Sequence, residues 1–232
     1  MIAPATPVPI ANPPALAPVR PLHVVWVLAC VVGGLALVYF TKQVFMAPVG
    51  IIAGASLAWW LLGGRQYGLA RLGLGRPASA WSTAAGVLVL LVVTWLVTQF
   101  VAGLVVPIWG PPDNRVLTSM IGHPLRIAAL LLVNWTSAAF GEEIVFRGFL
   151  IPAIAGWLGG KGVAWALAIV ASSLLFAGVH AYQGITGMVM TGTAGTIFAL
   201  GFVVGKRNLW RTVLAHGIFN TVALGFLFRA NG

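Results

Sequence analysis

Acidic side chains are nearly absent from this chain of 232 residues. There are three, Asp113, Glu142 and Glu143, against 13 Lys and Arg. Charge of either sign is scarce, at 7% of residues, where soluble domains carry about a quarter. Together with 60% hydrophobic residues and a mean hydropathy of +1.00, this excludes an ordinary soluble domain. Cysteine is limited to Cys30, which excludes a disulfide within the chain and reads as a small packing residue in an apolar run. The net charge of +10 does not point to nucleic acid, because the basic residues are scattered through short loops instead of gathering on one face. Residues 1–22 hold seven of the 14 prolines and have neither the positive start nor the unbroken apolar core of a cleavable signal peptide. They read as a disordered cytoplasmic tail, and 23–232 as an integral membrane domain.

What the chain has instead is apolar length. Stretches of about 20 apolar residues, enough to cross a bilayer, fall at roughly 24–41, 45–62, 81–106, 124–147, 163–181, 185–204 and 210–228. The expected fold is therefore all-α, a polytopic transmembrane helical bundle of about seven spans. Trp59, Trp60, Trp81, Trp109, Trp157 and Trp210 fall near predicted span ends, as interfacial aromatics do. With the N-terminus cytoplasmic, the inner segments carry Arg20, Arg65, Arg71, Arg76, Arg147, Lys161, Lys206, Arg207 and Arg211. The outer ones carry Lys42, Arg115, Arg126 and Arg229. Nine against four follows the positive-inside rule.

Against this background the adjacent Glu142 and Glu143 stand out. An ionisable group at bilayer depth costs about 2.5–3.5 kcal/mol on insertion scales and reads as functional by default. Arg147, four residues after Glu143, shares its helical face. Other strongly polar groups in apolar context are His180, and His216 with Asn220, which lie four apart on one helix face. A carboxylate can deprotonate water, and His or Asn can donate to a developing oxyanion. Glu142, His180 and His216 also supply the three ligands of a catalytic zinc site, so zinc-dependent and metal-free mechanisms both stay open. His23 and His123 fall at span edges, Ser172 and Ser173 read as helix-packing residues, and Asn134 as a hydrogen-bonding residue.

Spacing gives partial geometry. Lys161, in the turn Gly159-Gly160-Lys161-Gly162, is nineteen residues from each of Glu142 and His180, which puts the two level in an antiparallel hairpin. His216 is harder to reach, only about 10 Å of helix beyond the 205–209 loop. A break in regularity is expected, either at Pro152 or along the glycines at 184, 187, 192 and 195.

Glu-Glu-x-x-x-Arg at 142–147, Phe-x-x-x-His at 176–180 and His-x-x-x-Asn at 216–220 occur in that order on successive membrane helices. This arrangement resembles the CPBP intramembrane proteases, the family of type II CAAX prenyl endopeptidases and bacteriocin-processing or Abi proteins. The likeness runs from about 124 to 224, under half the chain. It implies an intramembrane endopeptidase, in a bacterial inner (cell) membrane, acting on a membrane-associated or prenylated peptide. In that reading Glu142 activates the attacking water with help from His180. His216 and Asn220 stabilise the oxyanion, and Glu143 with Arg147 orients the site. Gly-x-Ser-Gly, Gly-x-Gly-Asp and His-Glu-x-x-His are all missing, so rhomboid, presenilin-type and site-2 protease readings lack their signatures. The rivals from other classes are a non-enzymatic membrane scaffold or immunity factor and a proton-coupled transporter, the latter weakened by the lack of an internal repeat.

Overall fold

A computed structural model describes residues 19–41, 46–77 and 79–231. Residues 1–18 of the expected tail, and Lys42, lie outside these. The described residues are predominantly helical, with no strand, the form in which a chain in hydrocarbon satisfies its own backbone. In order they form α1 (Pro21–Thr41), α2 (Met46–Leu61), α3 (Gly64–Arg71), α4 (Ala80–Trp109), the short α5 (Arg115–Thr118) and α6 (Pro124–Val133). A π-helix (Asn134–Leu150) then leads into α7 (Ile151–Trp157), followed by α8 (Gly162–Val179), α9 (Gly184–Val204) and α10 (Leu209–Asn231).

Among the described residues five helices are long and apolar enough to cross a membrane: α1, α4, α8, α10, and α9 with the turn before it. The pair α2 and α3, bent by 106° at Leu62–Gly63, would make a sixth. The seventh predicted stretch, 124–147, is helical, but its winding changes twice. It starts as an α-helix, widens to i→i+5 bonding over 134–150, and returns to α at 151. Here the structure corrects the sequence reading. Pro152 does not end the helix; it sits at the second position of α7, where a missing N–H is tolerated. Nor do the glycines of 184–195 unwind the chain, for they lie inside the regular α9. The break falls earlier, at a single 3-10 turn, Ala181–Gln183, and Gly184 at φ 75° opens α9.

Small residues let the helices approach. A methyl added to Gly34 of α1 would stand 2.7 Å from the Gly50 Cα of α2, so these helices cross backbone to backbone. The π segment lies between α2 and α10, and its buried Val145, Phe146, Phe149 and Leu150 form the middle of the main apolar cluster.

The end carrying Val19, Leu62–Gly73, Trp157 and Lys206–Arg207 gathers loops that the charge sorting places inside. At that end the α9–α10 connector does not sit level with Trp157. The Leu209 N–H donates to the Gly73 carbonyl at 2.9 Å, and a methyl on Gly148 would touch Leu209 at 3.3 Å. The connector is therefore docked nine residues deeper than Trp157, about 13 Å of helix.

Candidate active site

That deep docking answers the placement problem posed by His216. Leu209 starts α10 beside Gly148, so seven residues later His216 comes level with Glu143, five residues back along the π segment. His216 Nδ1 lies 2.9 Å from Glu143 Oε1, and Arg147 Nη1 reaches the same oxygen at 3.0 Å. All three side chains are sealed, with Glu143 0%, Arg147 1% and His216 5% exposed. Arg147 also donates through Nη2 to the Gly195 carbonyl at 3.1 Å and places its guanidinium 4.3 Å from the centre of the Phe176 ring. A buried guanidinium is tolerable only with such compensation.

Phe176 is the hub. Its ring meets Phe146 edge-on at 5.1 Å, His180 at 4.7 Å and His216 at 6.3 Å. The Phe146–Phe176 contact, with Ser172 Oγ donating to the Phe146 carbonyl at 2.9 Å, shows the hairpin pairing in register about the 159–162 turn. Ser172 is thus the packing residue it was expected to be. His180 caps α8, with Nδ1 2.7 Å from the Phe176 carbonyl. A carbonyl only accepts, so Nδ1 carries the proton and Nε2 of the neutral ring is an acceptor.

Glu142 differs from its neighbour. Its side chain is half-buried, Oε2 is buried with no hydrogen-bond partner, and no ion pair reaches it among the described residues. The neighbouring His180 ring is stacked at 6.0 Å on the Tyr182 phenol. Asn220 is half-buried and makes no hydrogen bond among the described residues, one turn beyond His216. The six predicted residues therefore divide into a sealed trio (Glu143, Arg147, His216) and a reachable trio (Glu142, His180, Asn220).

Residues 124–222 match the sequence model of the family described as Type II CAAX prenyl endopeptidase Rce1-like. No curated protein and no solved structure matches the chain. The matched segment, 99 of the 232 residues, holds all six predicted site residues, and the likeness is to a family of proteases.

Gly195, Phe198 and Phe176 have parts here that the sequence did not give them, while Asn134 is the hydrogen-bonding residue it was expected to be. Gly195 is small because Arg147 and Phe176 occupy its side: an added methyl would stand 2.7 Å from the Phe176 ring and 3.1 Å from Arg147 Nη2. Phe198 stacks on His216 at 5.2 Å. Asn134 donates to the Gly217 carbonyl and to Thr221 Oγ1, both at 3.1 Å, tying the start of the π segment to α10. Phe176 lay within a quoted motif, and its place there was the available signal. Zinc requires three converging protein ligands. Among the described residues no three His, Cys, Asp or Glu side chains stand together to hold a metal ion. Glu143 takes His216 Nδ1, which leaves Nε2 as the ligand atom this ring could offer a metal.

Proposed function

We propose that the protein is an intramembrane endopeptidase that hydrolyses a membrane-associated or prenylated peptide, with Glu142 as general base. The observation that carries this reading is the contrast between the two carboxylates. An unpartnered carboxylate in so apolar a setting is costly and needs a purpose, and Glu142 is reachable while Glu143 is spent on Arg147 and His216.

Glu142 takes a proton from a water molecule as its oxygen attacks the scissile carbonyl carbon. His180 Nε2, an acceptor in the neutral ring, receives the water's other hydrogen and so orients the attack. The oxyanion that forms takes a hydrogen bond from the Asn220 amide, a donor at every working pH. The tetrahedral carbon then expels the amine, which leaves with the proton held on Glu142, giving a carboxyl product and an amine product. Glu143 and Arg147 balance each other and hold His216 by its Nδ1, so this trio positions α10 and with it Asn220, one turn beyond His216. No step requires a metal.

The test is hydrolysis of a prenylated or membrane-embedded peptide by purified protein in liposomes. Glu142→Gln is expected to lower turnover by about 10²–10⁴-fold, the worth of a general base; a wild-type rate would overturn the assignment. Chelation with phenanthroline is expected to leave the wild-type rate unchanged, and loss of activity restored by added zinc would reject the metal-free mechanism. The same reading puts the protein in a bacterial cell membrane with the N-terminus in the cytoplasm.

A further inference from the structure

The deep docking of the α9–α10 connector leaves a recess between it and the projecting end of α7. This recess is a cavity of about 410 Å³. One face of the helix from Gly148 through Phe149, Pro152 and Ala153 to Trp157 makes its apolar wall, and Arg71, Lys206 and Arg207 are the cationic residues of its lining, Arg207 with its guanidinium 5.9 Å from the centre of the Trp165 ring. No acidic residue lines it, and the chain's three acids lie elsewhere: Glu142 and Glu143 in the site, Asp113 with Arg115 beyond the other end of α4.

The cations are held in place. Lys206 and Arg207 have φ of 57° and 59°, a left-handed conformation that non-glycine residues adopt at a cost and that clusters at ligand clamps. Contact with Gly73 fixes the turn, for the Arg207 carbonyl packs where a side chain on Gly73 would be, and the neighbouring Leu209 N–H bonds to the Gly73 carbonyl. Arg71 donates to the Leu62 carbonyl at 2.8 Å and lies 4.9 Å from the Tyr67 ring centre. The mouth of the recess is at the level of a headgroup layer, where α1 begins and α7 ends, and the connector is its deeper floor. Trp157 at the lining is an interfacial aromatic. A basic pocket between helices at this level is how membrane proteins hold lipid phosphates.

We propose that this recess binds the phosphate of an anionic phospholipid headgroup, with Lys206 and Arg207 on the phosphate and the start of the acyl chains along Phe149 and Ala153. It is independent of the catalytic assignment, since none of its lining residues belongs to the two trios.

The test is thermal unfolding of the full chain in detergent, titrated separately with dioleoyl phosphatidylglycerol, dioleoyl phosphatidylcholine and inorganic phosphate. Wild type is expected to be stabilised saturably by phosphatidylglycerol and not by the other two. Lys206→Asn/Arg207→Asn removes both charges with a residue that tolerates positive φ. It should unfold at the wild-type temperature in phosphatidylcholine and bind phosphatidylglycerol about thirtyfold more weakly. Lys161→Asn, an exposed cation at the same end outside the lining, should keep the full response. An equal response to both lipids, or a response retained in the double variant, would overturn the proposal. So would one lost equally in Lys161→Asn. Stabilisation by inorganic phosphate alone would make this a soluble-anion site. A higher KM for peptide in the double variant without lipid would make it a substrate site.

Discussion

Glu142 and Glu143 are one residue apart and have opposite surroundings. Glu143 is sealed, neutralised by Arg147 and hydrogen-bonded to His216; Glu142 is half-open with no partner. One helix thus carries a carboxylate that holds α10 and α9 to itself and a carboxylate left for chemistry. Winding and packing make the difference. In the wide π segment, position 143 faces α10, while position 142 has no part in that seal. Identical side chains at adjacent positions acquire structural and chemical roles from which face they occupy.

The comparison can be broken most forcefully at the sealed member. Glu143→Gln leaves Arg147 as an uncompensated buried cation and should cost about 3–5 kcal/mol of stability in detergent, with activity lost. Adding Arg147→Met should recover most of that stability without restoring hydrolysis. If the single variant unfolds at the wild-type temperature, the ion pair is not what holds this region. Glu142→Gln should do the reverse, abolishing turnover while the unfolding temperature stays put, because no partner is lost. Equal destabilisation by the two glutamines would erase the distinction.

A smaller effect is expected at the wall of the sealed trio. Gly195→Ala puts a methyl against Phe176 and Arg147, an overpacking worth about 1–3 kcal/mol, while activity should fall only as far as Arg147 is displaced. The least effect belongs to the remaining acid. Asp113, bound by Arg115 through a 2.6 Å contact on the surface, has its carboxyl held down at about 2 by that side-chain hydrogen bond. Its folded value lies below the ordinary 3.8, so any stability it lends is present above about pH 4 and disappears as pH falls toward 2. Arg115→Ala should therefore differ from wild type by a small, constant amount from pH 5 to 8, converging below that. A pH-dependent gap near neutrality would contradict the assignment.

Much of this site was legible because the chain is so poor in charge. Glu143–Arg147 follows from i,i+4 spacing, and the level pairing across the 159–162 turn follows from counting residues. The division into a catalytic Glu142 and a supporting Glu143 came from the family resemblance, and the proposed mechanism keeps it. What sequence did not disclose depends on contacts between distant segments. Ordinary α-periodicity gives no hint of a π winding over 134–150, and nothing near His216 announces that its helix begins at the level of Gly148. The difficulty of reaching His216 from its loop was a true signal, but it was assigned to breaks at Pro152 or the α9 glycines. Those glycines serve side-chain packing instead: Gly192 admits Ala177, and Gly195 admits Phe176 and Arg147.

The neutralisation of Glu143 by Arg147 has an electrical consequence. A pair with zero net charge, fixed in one place, does no work against a transmembrane voltage, so the architecture of the bundle is indifferent to the energised state of the membrane. In the proposed mechanism, by contrast, Glu142 changes the net charge at depth when it takes up and gives back a proton. Moving one charge across the full field is worth about 2.3 kcal/mol per 100 mV, and some fraction of that would fall on the proton's route to this residue. On that reading a voltage-insensitive frame carries a reaction coordinate that the membrane potential can bias.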